Sequence, residues 1–294
     1  MRPRNQRFGL SCAMVTPFAP DGSVDLARLA THAKHVLAEG CSSVTFAGTT
    51  GEGASIGFGE RAAIIDALRA AGLDLATQVL VGVAACSIED AAAQANQLLD
   101  AGGRGILLAP PFYFKNPSDD GLFRWFAAVL ERCHSPRGVF LYHLPSVTAV
   151  ALSSELVGRI DRAFPGVIAG VKDSGGEWAT TERFLADHPH LHILVGDERL
   201  LARAIRHGGS GAINGFSNFC ARKLMPMIED GADVPGIPEL VDLVCSQPVT
   251  PAVKVLVAHR YRDDGFLATS PPLVPTGTAA QAGLRAAYDR LLGG

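Results

Sequence analysis

The stretch "GVIAGVKDSGG", residues 166–176, is apolar from Val167 to Val171 and turns polar at Lys172. An apolar run without polar alternation reads as a strand covered on both faces, as in a parallel sheet flanked by helices. The serine and glycines after it mark a turn. Seven further runs share this character: "LSCAMVTPF" (10–18), "SVTFAG" (43–48), "QVLVGV" (78–83), "RGILLAP" (104–110), "GVFLYHL" (138–144), "HILVGD" (192–197) and "SGAINGF" (210–216). Amphipathic periods lie between them. In the first, Leu26, Leu29, Ala30, Ala33, Val36 and Leu37 form one face and Gly40 stops it. Another opens at Ser87, three residues before Asp90, and ends at Gly102 and Gly103.

Eight such units predict an α/β protein, a (β/α)8 TIM barrel over residues 1–220. An open doubly wound sheet fits less well, because the first βα turn, "TPFAPDGSV", lacks the GxGxxG of a dinucleotide fold. Beyond residue 217 the strand signal stops. Residues 221–294 read as a helical appendage packed on the barrel, with no low-complexity linker to set off an independent domain.

With 48% hydrophobic and 19% charged residues, the chain can bury a large core. A net charge of −3, with lysine and arginine scattered, gives no basic field for nucleic acid or an anionic membrane surface. No apolar stretch has the length of a membrane span, and "MRPRNQRFGL" has no apolar segment of a secretory signal. Six widely spaced cysteines without a CxxC pair suit reduced thiols, so a cytoplasmic location is expected.

In a barrel, chemistry sits where strands end and helices begin. Those ends carry Thr16 and Pro17, "GTTGEG" (48–53), "PPFYF" (110–114), "LYHLP" (141–145), "VKDSGG" (171–176), "GDER" (196–199) and "INGFSN" (213–218). Two of the chain's four tyrosines, Tyr113 and Tyr142, fall in this set. Lys172 and Tyr142 end consecutive strands, which in a parallel sheet run about 4.8 Å apart, so amine and phenol could meet over the barrel mouth. A lysine in apolar surroundings loses proton affinity, and its neutral amine attacks carbonyl carbon. A neighbouring phenol can shuttle the proton that imine formation and C–C cleavage require. The competing reading pairs Lys172 with Asp173 in a wet loop and leaves Tyr142 as packing. "GTTGEG" offers two hydroxyls and backbone N–H groups to an anion such as a carboxylate, unless it is an ordinary βα turn.

Taken together and in this order, these motifs resemble the dihydrodipicolinate synthase/N-acetylneuraminate lyase family of Schiff-base (class I) aldolases. The resemblance covers about residues 8 to 220 and, more loosely, the helical tail. It implies a carbon–carbon or carbon–oxygen lyase, an aldolase or dehydratase that needs no metal and no cofactor beyond a covalent lysine imine. Lys172 would form that imine with pyruvate or another 2-oxo acid. Tyr142 would relay protons, and Thr49 and Thr50 would hold the substrate carboxylate and join the relay, with Gly48 beside them. Ile213 would turn its backbone carbonyl to the bound acid. Tyr113 would reach the active site of an adjacent subunit in a dimer or homotetramer.

Departures from the family pattern bear on substrate. The synthases carry an arginine two residues after the proline of the strand-5 motif, where this chain has Val147. Losing that bidentate fork argues against dihydrodipicolinate formation; a 4-hydroxy-tetrahydrodipicolinate synthase that works despite the missing arginine is kept as the alternative. Sialic acid lyases carry an Asp-Glu pair after strand 7, matched by Asp197 and Glu198 following Gly196, yet their strand-8 serine is Gly215 here. Ser270 stands where many members have arginine. The expected activity is that of a 2-oxo-acid or sugar-acid aldolase, or a 2-keto-3-deoxy sugar acid dehydratase. A non-catalytic 2-oxo-acid binding protein is the alternative of a different class.

Other features read as structural. His188, His190 and His192 alternate in "HPHLH", a solvated strand entry rather than a zinc site, which recruits ligands from separate segments. His143 points away from Tyr142 across the strand. Phe112 and Phe114 read as pocket or core aromatics, and Phe123, Trp125 and Phe126 as one helix face.

Overall fold

The computed structural model describes residues 2–293. All eight expected strands form: β1 (Gly9–Ala13), β2 (Ser43–Phe46), β3 (Val79–Val83), β4 (Gly105–Leu108), β5 (Val139–His143), β6 (Ile168–Asp173), β7 (His192–Val195) and β8 (Gly211–Asn214). Each pairs in parallel with the next, and β8 closes on β1 with Gly9 opposite Gly211, giving a closed eight-stranded barrel. The helices between strands are α1 (Leu26–Ala38), α2 (Phe58–Ala70), α3 (Leu75–Gln78), α4 (Ile88–Asp100), α5 (Asp119–Arg132), α6 (Pro145–Thr148), α7 (Ser154–Ala163), α8 (Trp178–Asp187) and α9 (Glu198–Arg206). After β8 come α10 (Ser217–Asp230), α11 (Ile237–Cys245), α12 (Val249–Tyr261) and α13 (Thr278–Leu292). The expected division after residue 220 falls inside α10, which packs against β1 and β8.

Period-two alternation sorts the residues of most strands between two apolar clusters, while β2 gives Val44 and Phe46 to one cluster alone. On β5, Val139 and Leu141 face the helices, while Phe140 and Tyr142 face the barrel interior with Leu80, Leu107, Leu194 and Ile213. The interior is packed below, and two cavities lie at the C-terminal ends of the strands. Helix starts follow local capping: Ser87 accepts from the Asp90 N–H, as its spacing predicts, and Asp25, Ser118, Ser153 and Asp197 do the same for α1, α5, α7 and α9.

β1 stops at Ala13, short of the apolar run through Phe18. There the Val15 N–H turns to the Asn218 side chain and the buried Thr16 hydroxyl donates to Gly51 O at 2.7 Å. Among the described residues, no helix is long and apolar enough to cross a membrane.

Candidate active site

Tyr142 and Lys172 are direct register partners on β5 and β6, so both side chains project to the same, inner side. The Lys172 ammonium donates to the Tyr142 oxygen at 3.0 Å and lies 4.2 Å from the ring centroid. Each residue is 5% exposed. Asp173 faces the opposite way, accepting from the Thr181 hydroxyl at 2.6 Å and the Gly175 N–H at 2.9 Å. The wet Lys172–Asp173 pair is thereby excluded, because strand alternation sends neighbouring side chains to opposite faces. Burial, the largest influence on the Tyr142 phenol, raises its pKa. The Lys172 charge, with hydrogen bonds from Lys172, Thr49 and Ser174, outweighs burial and brings it below the ordinary tyrosine value.

Thr49 completes a chain of polar groups, its hydroxyl 3.4 Å from the Tyr142 oxygen. The turn that carries Thr49 is held from three sides. Arg61 of α2, 1% exposed, donates to Gly53 O at 2.7 Å, Gly82 O at 2.9 Å and Ile56 O at 3.3 Å; burial lowers its pKa to about 10. Glu52, in the left-handed region at φ 56°, pairs with Lys254 of α12 and accepts the Ser270 N–H at 2.7 Å. A methyl at Gly53 would lie 1.8 Å from Ala47 O, so the chain passes here only as glycine. The Glu52–Lys254 pair escaped sequence reading because its members lie 202 positions apart and no periodic signal links them.

The other side of the lysine is built by β7, β8 and α12. A Cβ at Gly196 would lie 2.0 Å from the Ser174 hydroxyl and 3.3 Å from Lys172 Cε, so this glycine makes room for the amine. Glu198 is buried, accepts the Phe216 N–H at 3.1 Å and has its pKa raised by burial to about 8. Asp197 caps α9 and holds the Arg199 guanidinium at 2.6 Å. Ile213 is fully buried in the inner wall. Thr49, Thr50, Lys172, Ser174, Gly196, Asp197, Glu198 and Gly215, with Val249, Thr250 and Val253 from α12, line a cavity of about 220 Å³. The helical tail thus forms part of the site. Ser174, two residues beyond Lys172 on the same side of the chain, could have been found by that spacing.

A second lobe of about 270 Å³ shares Thr49, Tyr142, Leu144 and Val147 with the first and extends over β2, β3 and β4. Gly48 and Phe112 line it, with Ala84, Leu107, Pro272 and Leu273. Among the described residues, neither lobe is lined by an arginine. Tyr113 lies outside both: it is 75% exposed and packs edge-on against Phe114, 5.3 Å between centroids. Phe114 is likewise exposed, so of the two phenylalanines only Phe112 is a pocket aromatic; the loop before α5 carries its neighbours away from the barrel. His143 faces outward, accepting the Leu152 N–H at 3.1 Å against Phe184. The three alternating histidines diverge: His188 meets Ser154, His190 meets Asp161 and His192 meets Ser210.

The buried lysine on the sixth strand and the tyrosine beside it on the fifth stand at the end of the parallel barrel where sites of this fold are built. The chain belongs to the dihydrodipicolinate synthetase family, whose pattern matches residues 6–235 and whose members are lyases. The crystal structure of dihydrodipicolinate synthase from Agrobacterium tumefaciens str. C58 superposes with TM-score 0.95 at 50% identity, over 97% of this chain and 99% of that one. An uncharacterized DapA-like lyase of Chloroflexus aurantiacus is 32% identical, covering 97% of each chain. The 4-hydroxy-tetrahydrodipicolinate synthase of Sorangium cellulosum is 31% identical over 96% of this chain and 95% of its own.

Proposed function

We propose that this protein is a Schiff-base lyase acting on pyruvate or a related 2-oxo acid, with Lys172 as the covalent residue and no metal or other cofactor. The observation that carries this reading is the 3.0 Å contact between Lys172 and Tyr142 at the open end of the barrel. The chain's other buried lysine, Lys254, is neutralised by a carboxylate, whereas the hydrogen-bond partner of Lys172 is a phenol. A buried amine with that partner suits nucleophilic attack better than structural pairing.

In this mechanism the neutral amine adds to C2 of the oxo acid. The C2 oxygen then takes up protons and leaves as water, giving an iminium. Loss of a C3 proton makes an enamine, and Tyr142 with Thr49 and Ser174 moves protons at each step. Thr49, Thr50 and the backbone around Gly48 hold the acid's carboxylate, Gly196 bounds the space beside the imine carbon, and Ile213, which lines neither cavity, offers only its backbone carbonyl. Asp197 and Glu198 lie where hydroxyls of a longer substrate would reach. The exposed Tyr113 and Phe114 fit a further proposal: the protein works in the cytoplasm as a dimer or tetramer in which Tyr113 enters a neighbour's site. With Val147 in place of the synthases' arginine, aldol or dehydratase chemistry on another 2-oxo acid fits better than dihydrodipicolinate formation.

Borohydride treatment with pyruvate tests the mechanism. A reduced three-carbon adduct on Lys172, absent in Lys172→Ala, is expected by peptide mass spectrometry. No mass change in the intact protein would overturn it.

A further inference from the structure

Apart from Gly48 and Thr49 at its mouth, the apolar lobe beside the lysine cavity has no role in holding a 2-oxo acid. Its walls are Ala47, Ala84, Leu107, Phe112, Leu144 and Leu273, with glycine backbone at Gly48, Gly53 and Gly82. The polar side chains that touch it are already engaged elsewhere. Glu52 is held by Lys254 and the Ser270 N–H. The Thr148 hydroxyl donates to Leu144 O at 2.9 Å, and the Ser55 hydroxyl to Pro271 O at 3.4 Å. Thr49 and Tyr142 remain, and they stand at the junction with the lysine cavity. A group entering this lobe therefore finds hydroxyls at its mouth and hydrocarbon beyond. An apolar cavity of about 150 Å³ already admits benzene, so about 270 Å³ has room for a phenyl ring or a branched alkyl chain.

We propose that this lobe makes the enzyme specific for an apolar carbonyl partner: an aromatic or branched aliphatic aldehyde in condensation, or the matching 4-substituted 4-hydroxy-2-oxo acid in cleavage. The proposal rests on the imine mechanism above. In condensation, C3 of the lysine-bound pyruvate enamine bonds to the aldehyde carbon. The carbonyl π pair passes to the aldehyde oxygen, which takes a proton from Tyr142. Water then adds to the iminium carbon and releases the 4-hydroxy-2-oxo acid and free Lys172. The aldehyde substituent lies in the lobe, where a carboxylate would lose water and meet no lysine or arginine among the lining residues. Val147, 61% exposed at the rim shared by both cavities, offers a methyl surface at the entrance.

The test measures kcat/KM with pyruvate and a panel of aldehydes: benzaldehyde, isovaleraldehyde, glycolaldehyde and succinic semialdehyde. Benzaldehyde or isovaleraldehyde should exceed succinic semialdehyde by at least about tenfold. Val147→Arg, a surface change that leaves the core untouched, should shift that ratio toward succinic semialdehyde by about tenfold. Ala84→Leu, which fills the lobe, should lower the benzaldehyde-to-glycolaldehyde ratio by a similar factor. If the pyruvate adduct forms but succinic semialdehyde is preferred or matched, or no apolar aldehyde turns over, this specificity is wrong while the imine mechanism stands. If no adduct forms, the mechanism itself has failed and the specificity falls with it.

Discussion

Tyr142 and Lys172 face each other across the β5–β6 pair as register partners, phenol oxygen to ammonium nitrogen at 3.0 Å. Two neighbouring parallel strands thereby bring the amine and the phenol together without help from a flexible loop. The lowered pKa of Tyr142 means that Lys172 supports the phenolate, the form able to take a proton from the amine.

Tyr142→Phe removes the oxygen and leaves the ring. Proton transfer by a positioned group contributes about 10²- to 10⁴-fold, so turnover should fall within that range while pyruvate still forms a trapped adduct at a slower rate. Rapid-quench measurement of adduct formation beside steady-state turnover checks this. Turnover at the wild-type rate would remove Tyr142 from the relay.

Gly196→Ala places a methyl against the Ser174 hydroxyl and close to Lys172 Cε. The collision lies within the site, so kcat should fall by one or more orders of magnitude with little change in the unfolding midpoint. Kinetics paired with thermal denaturation separates the effects. A fully active variant would show that Ser174 and Lys172 shift freely.

Glu52 and Lys254 form a buried pair, side chains 1% and 0% exposed. Removing one partner of such a pair strands the other charge and costs roughly 3–5 kcal/mol. Glu52→Gln and Lys254→Met should each show that loss in urea unfolding, and the double variant should recover much of it. The single variants should also lose activity, because Glu52 lies in the turn that carries Thr49. Additive losses in the double variant would argue against a direct coupling.

Glu198 provides a pH signature. Its ordinary pKa of 4.5 rises to about 8 through burial in the fold. Between these values the folded chain binds more protons than the unfolded chain, so this residue's contribution to stability falls as pH climbs through that window and is level outside it. Glu198→Gln keeps an oxygen for the Phe216 N–H and does not titrate. Its stability relative to wild type should improve steadily from about pH 5 to about pH 8. Parallel stability profiles would show that Glu198 ionises without penalty.

The barrel was readable because each of its strands is a short apolar run and each intervening helix shows its own periodicity; both are local signals. Lys172 and Tyr142 were visible for a related reason, since a polar residue closing a buried strand stands out against its neighbours. Phe114 was misjudged because aromatic character alone does not say which way a loop points. Arg61 and Lys254 went unremarked since burial of a charged side chain follows from what surrounds it in space, which composition does not record.

Amino-acid order by itself determined the closed parallel architecture, the strand ends where a barrel places its site and the candidacy of the lysine, because hydrophobic patterning and turn chemistry act over a few residues. Only the tertiary structure decided that Asp173 turns away from that lysine, that α12 walls the cavity, and that an apolar second lobe opens beside the phenol. Those outcomes depend on strand register and on contacts between segments up to two hundred residues apart, which no local pattern encodes.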